Sequence, residues 1–173
     1  MKIAIVGFAG SGKSTLAQTL GELTGAPVLH LDTVQFLPDW EIRPEEEKQA
    51  LVREFLDSNS AWIIDGNYRR LSFERRLAEA DQIWILLFNR FTRFSRVLHR
   101  YRRYRGQQRP DMAQGCQEKL DGAFARWVLW EGCTPEKNRQ MKDIVRRYPQ
   151  KSHLFLNQLQ VDAGLRLFRE GKL

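Results

Sequence analysis

The stretch GFAGSGKST, residues 7 to 15, brings together the residue types that chemistry on phosphate needs. Gly7, Gly12, Lys13 and Ser14 occupy the fixed positions of G-x-x-x-x-G-K-[ST], a spacing that suits a loop wrapped around a phosphate. Gly10 and Gly12 can take positive φ and let backbone N–H groups come close to oxygen. Successive N–H groups, with Ala9, Ser11 and Thr15 in the run, then form a concave anion site where a helix begins. Lys13 can reach the β- and γ-phosphates as a point charge, and Ser14 can place its hydroxyl on Mg²⁺. A glycine-rich turn with no ligand is the alternative. The position between a strand and a helix favours nucleotide binding.

Two acids follow apolar runs, Asp32 after VLHL and Asp65 after AWII. In a parallel α/β sheet, ligands bind beyond the carboxyl ends of the strands, so both acids are expected beside the phosphates. Asp65 is the candidate metal ligand, and Asp32 the candidate to orient or deprotonate an acceptor hydroxyl. The competing reading has each capping a turn. His30 reads as a structural histidine facing away from Asp32.

A third source of chemistry is RFTRFSRVLHRYRRYRGQQR, which holds Arg90, Arg93, Arg96, Arg100, Arg102, Arg103, Arg105 and Arg109 and no acid. Phe91, Phe94, Leu98, Tyr101 and Tyr104 make an apolar stripe expected in the core. Arg93, Arg96, Arg100 and Arg103 recur on a neighbouring face. Guanidinium forks grip phosphate, and phosphoryl transfer relies on placement and positive clamps. Arg100, Arg105 and Arg109 are therefore candidate catalytic groups. A nucleic-acid patch and a solvated basic face are the other readings.

The elements that must position these groups alternate in type. KIAIVG, PVLHLD, AWIIDG, QIWILLF and HLFL read as strands. Helical patterns cover 13–24, 44–58, the stretch FERRLAEA, 91–105, much of 117–148, and 161–170. Continuous apolar strands alternating with helices imply a mostly parallel sheet covered on both faces, an α/β architecture. The 173 residues fit one domain, with 106–133 as a small helical lid.

The net charge of +7 suits an anionic partner. Cys116 and Cys133 cannot by themselves make a zinc site and read as structural. No apolar run is long enough for a membrane span, and the amino terminus does not read as a secretory signal. A cytoplasmic protein without a membrane partner, monomer or homodimer, is the expectation.

The stretches GFAGSGKST, PVLHLD, WIIDGNYRR and RPDMAQGCQEKLD, together with the arginine segment, resemble a bacterial family of P-loop proteins. These are known as DNA topology modulation proteins and are related to adenylate kinase. The resemblance extends to about residue 121. It implies a nucleoside-monophosphate-kinase-like fold with a five-stranded parallel sheet in order 2-3-1-4-5, a lid, and ATP and Mg²⁺ as ligands.

In adenylate kinases the stretch after the third strand holds the acceptor phosphate. Here it is Asp65, Gly66, Asn67, Tyr68, Arg69 and Arg70, with either arginine able to take the role. Arg96 and Arg100 have the spacing of the pair that contacts the ATP base and phosphate. Arg139 is the nearest match to a lid-helix arginine. Asn157 and Gln158 lie where that fold passes the adenine ring. The resemblance implies ATP-dependent phosphoryl transfer to a small-molecule acceptor, a nucleotide or related metabolite. The alternative is a nucleotide-switched, nucleic-acid-associated protein influencing DNA topology.

Overall fold

A computed structural model of the chain describes residues 1–105, 107, 112, 115–116 and 120–173. Five strands, β1 (Lys2–Gly7), β2 (Val28–His30), β3 (Trp62–Asp65), β4 (Gln82–Leu86) and β5 (Ser152–Phe155), form one parallel sheet in the order β2-β3-β1-β4-β5. That is the expected order.

The helices are α1 (Lys13–Thr24), α2 (Leu31–Gln35), α3 (Glu45–Ser58), α4 (Phe73–Glu79), α5 (Arg90–Tyr104), α6 (Gly122–Leu129), α7 (Pro135–Arg147) and α8 (Gln158–Arg169). Two 3₁₀ turns, Pro38–Trp40 and Glu131–Cys133, complete the described elements. The last helix starts three residues earlier than its apolar pattern suggests, because the Asn157 side chain caps it by accepting from the Gln160 N–H.

The three central strands are buried on both sides, and their alternation splits the core in two. Ala4, Val6, Ile64, Ile83 and Ile85 pack with Val52 and Leu56 of α3, Leu77 of α4 and Ile144 of α7. Ile3, Ile5, Ile63, Trp84 and Leu86 pack with Leu16, Ala17 and Leu20 of α1 and Val161 of α8. The carboxyl ends of the central strands then open onto one rim, where the loops of interest gather. Cys116 and Cys133 are buried free thiols. Among the described residues no helix is long and apolar enough to cross a membrane.

Two expectations need correction. The strand before Asp32 stops at His30, and Asp32 lies in α2, so strand alternation does not relate the two side chains. The aromatic stripe of α5 is not core either: Phe91 is 75% exposed, and the residues that α5 buries are Arg93 and Val97. α5 lies directly on the phosphate loop. A Cβ added to Gly10 would sit 2.5 Å from the Arg93 carbonyl oxygen and 2.9 Å from Val97. Approach this close to backbone suits the narrow Arg93–Val97 face and would exclude bulky rings.

Candidate functional site

The loop between β1 and α1 leaves most of its amides uncommitted; the Ser11 N–H donates to the Phe8 carbonyl at 3.2 Å. Gly10 and Gly12 have φ of 76° and 93°, left-handed values that turn the chain tightly enough to aim successive N–H groups inward. Gly12 is the N-cap of α1 and supplies no side chain to satisfy its first turn. Among the described residues, no acceptor takes the N–H of Gly10, Gly12, Lys13, Ser14 or Thr15. These amides border a cleft of 1360 Å³ that the whole loop from Gly7 to Thr15 helps to line.

Lys13 donates from Nζ to the Phe8 carbonyl at 3.2 Å, which curls it over the loop. Burial holds its ammonium below the ordinary lysine value. The charges of Asp65 and Asp32 work against that, and those of Arg100 and Arg93 add to it. Lys13 thus sits within the field of both acids and of two arginines, as a phosphate-binding lysine must.

Asp65 ends β3 and is 4% exposed. Its Oδ2 accepts from the Ser14 hydroxyl at 3.0 Å, and its Oδ1 lies 2.6 Å from His30 Nδ1. His30 and Asp65 are lateral partners in the parallel register of β2 and β3, so both side chains emerge on the same side of the sheet. The histidine expected to be merely structural therefore braces the candidate metal ligand. Only the register of β2 against β3, which no local spacing shows, reveals this pairing.

Ser14 and Asp65 are a sparse set of hard oxygen donors. Among the described residues no group of three or more His, Cys, Asp or Glu side chains could hold a metal. That fits Mg²⁺, which takes one or two protein oxygens and fills its shell with phosphate and water, better than it fits Zn²⁺ or Ca²⁺.

Asp32 faces the same cleft, and its Oδ1 accepts from the Tyr68 hydroxyl at 2.7 Å. Burial, and then the charge of Asp32, push the Tyr68 phenol well above its ordinary value, so it stays a donor. Asn67 turns back to the phosphate loop: it accepts from the Gly7 N–H at 2.9 Å and donates to the Gly7 carbonyl at 2.7 Å.

The loop carrying both is tied down by Arg76, a fully buried residue that the sequence reading passed over. Its guanidinium donates to the carbonyls of Leu71, Gly66 and Tyr68. Burial lowers its pKa to about 10, against the pull of Asp65. Of the two arginines after Tyr68, Arg69 lines the cleft, bonding Gln140 at 3.0 Å. Arg70 lies off the cleft, near enough to Glu45 to act on its charge.

The arginines of α5 divide by function. Arg93 is 1% exposed; it donates to the carbonyls of Phe88 and Ala9 and lies over the Phe8 ring. Arg96 donates to the Ser11 carbonyl at 3.2 Å and to Gln158 at 2.8 Å, with its guanidinium carbon 4.7 Å from the centroid of the Phe88 ring. Arg96, Arg100 and Arg103 line the cleft at steps of four and three, one helix face.

Arg105 does not join them: it lies past the end of α5, exposed and off the cleft. Arg109 lies outside the described residues, as does much of the expected lid loop. Arg139 is exposed and off the cleft, because Lys137, Gln140 and Met141 occupy the inward face of α7. Asn157 is spent capping α8, while Gln158 reaches the cleft rim.

No protein-family model matches the chain, and no curated protein does. Among solved structures it is similar to TT1252 from Thermus thermophilus, with a TM-score of 0.57 and 17% identity over 100% of this chain and 98% of that one. An uncharacterized protein from Eubacterium ventriosum aligns with a TM-score of 0.53 and 18% identity over 99% and 98% of the two chains. A deoxyadenosine kinase from M. mycoides aligns at 0.49 and 14% identity over 99% and 100%. At such identities what is shared is the fold. Sheet order and the phosphate-loop sequence, with the alignments to TT1252 and the Eubacterium ventriosum protein, make the chain an α/β protein with a five-stranded parallel sheet and a P-loop.

Proposed function

We propose that the protein is a phosphotransferase that moves a phosphoryl group from ATP, with Mg²⁺, to a small-molecule acceptor. The observation that carries this reading is a cleft of 1360 Å³ lined together by the phosphate loop, Lys13 and Asp32. That volume exceeds the roughly 300–1,000 Å³ of an ordinary single-ligand pocket, which suits two substrates lying end to end.

In this reading the uncommitted amides of Gly10 and of Gly12 to Thr15, with the Lys13 ammonium, hold the phosphate tail. Ser14 and Asp65 hold Mg²⁺, which would neutralise phosphate charge, and His30 orients the carboxylate. Arg96 lies beside the nucleotide, and Arg100 adds positive charge where negative charge develops. Asn67 braces the loop through Gly7, and Arg69 steadies the acceptor side. The stretches shared with the DNA topology modulation proteins include these residues, and we read the chain as a relative of that family.

The test is a thermal melt with a non-hydrolysable ATP analogue, with and without Mg²⁺. The reading expects Tm to rise with analogue concentration and to rise further with Mg²⁺. A Tm unmoved by millimolar analogue and Mg²⁺ would refute it.

A further inference from the structure

The lining of the cleft adds aromatic surfaces to the charged groups around Lys13. Phe36 and Trp40 meet edge to face with centroids 5.1 Å apart. Phe124 and Trp127 stack at 6.0 Å. With Tyr68 and Met112 they line the same cleft as Lys13 and Asp32. Aromatic and thioether surfaces of this kind accept the faces of a planar ring.

The backbone is strained to present one of them. Asp39 and Trp40 carry φ of 60° and 66° in succession, a left-handed pair that a bulky tryptophan adopts only where the surroundings enforce it. Such outliers cluster at ligand-holding positions.

The polar groups narrow the choice further. Asp32 has Oδ1 occupied by Tyr68, while Oδ2 takes no hydrogen bond among the described residues. A carboxylate so placed can accept a proton from a hydroxyl, and it repels an incoming phosphate dianion. Two of the cations that line the cleft, Arg69 and Lys137, are already engaged. Arg69 bonds Gln140 and lies over the Phe73 ring at 5.5 Å. Lys137 donates to the Glu131 carbonyl at 2.6 Å.

Resting on the phosphotransferase reading, we propose that the acceptor is a neutral alcohol attached to a planar ring, as in a nucleoside, and not a phosphate. The acceptor oxygen forms the new bond to the γ-phosphorus of the nucleoside triphosphate, and its proton passes to Asp32. The bond from that phosphorus to the bridging oxygen breaks, and its electron pair stays on the departing diphosphate beside Lys13. The products are a phosphate monoester and a nucleoside diphosphate, and Asp32 returns its proton to water.

Matched pairs decide the matter: adenosine, guanosine, cytidine, uridine and thymidine, each against its own 5′-monophosphate. The full chain is supplied with ATP and Mg²⁺, and products are read by ³¹P NMR. The expected result is a phosphate-monoester signal from at least one nucleoside, with kcat/KM at least about tenfold above that of its monophosphate. That nucleoside should also change the tryptophan fluorescence, and Trp40→Phe should diminish the change.

A monophosphate as the better acceptor, yielding a nucleoside diphosphate, overturns the proposal and leaves the phosphotransferase standing. Turnover of none of the pairs, while the ATP analogue still raises Tm, overturns it as well. An analogue without effect on Tm removes instead the reading on which it rests.

Discussion

The phosphate loop offers the cleft mostly backbone, and the rest of the lining offers it mostly side chains. The first takes its amides from one short run, Gly10 and Gly12 to Thr15, and braces them with Arg93 and Arg96 from one helix. The second draws Asp32 from α2, Trp40 from a 3₁₀ turn, Tyr68 from the loop after β3, and Phe124 and Trp127 from α6. Backbone amides can bind any phosphate tail, whatever group the tail carries. Side chains from separate elements can be exchanged one at a time, so specificity belongs to them. Arginine serves both parts of the lining as a tie between carbonyl groups. Arg93 joins the carbonyls of Phe88 and Ala9, and Arg76 those of Gly66, Tyr68 and Leu71.

The sharpest test of this division removes the one charged side chain within the phosphate loop. Lys13→Ala is expected to lower kcat by about 10³-fold, the scale seen when a group aimed at developing charge is lost. Its melt should stay close to that of the parent, because burial already disfavours the ammonium. ADP release and a thermal scan check both.

Arg93→Met should act on the fold instead. It leaves the Phe88 and Ala9 carbonyls without their donor, and a loss of about 3 kcal/mol by urea titration is expected. A stable Arg93→Met protein that had lost only activity would break the distinction between bracing and binding arginines.

Asp32→Asn should lower kcat by about 10²-fold with ATP-analogue binding unchanged, since the change falls outside the phosphate loop. Weakened analogue binding would show that the two parts of the lining are not separable. Arg96→Ala is expected to weaken the analogue by about tenfold, and the smaller loss reflects that its contacts with Ser11 and Gln158 lie at the rim.

The smallest effect lies outside both parts of the lining. Burial holds the His153 imidazole below its ordinary value of 6.5. Above pH 6.5 the folded and unfolded chains are both neutral there. As pH falls below 6.5 the unfolded chain takes the proton first, so stability declines until the folded pKa is passed. His153→Gln should flatten Tm against pH between 6.5 and 5 by roughly 1–2 °C.

Much of this was legible without coordinates. The phosphate loop, the alternation of strands and helices, and the two acids are local signals, each complete within about ten residues. Arg96 and Arg100 could be singled out by spacing. His30 could not, because its partner Asp65 is a neighbour across the sheet and not along the chain. The burial of α5 was misread for a related reason. Its apolar stripe and its arginine face are both helical, and periodicity alone does not say which one meets the phosphate loop. Arg105 and Arg139 failed as cleft residues because helix ends and helix faces turn on packing.

The sequence by itself determined the order of elements and the loop that can hold a phosphate tail, since local spacing sets backbone conformation and strand or helix period. Only the tertiary structure decided that His30 braces Asp65, that Tyr68 holds Asp32, and that Trp40, Phe124 and Trp127 share a cleft. Those meetings join residues far apart in the chain. They exist only once the sheet register and the packing of helices on its rim have brought their elements together.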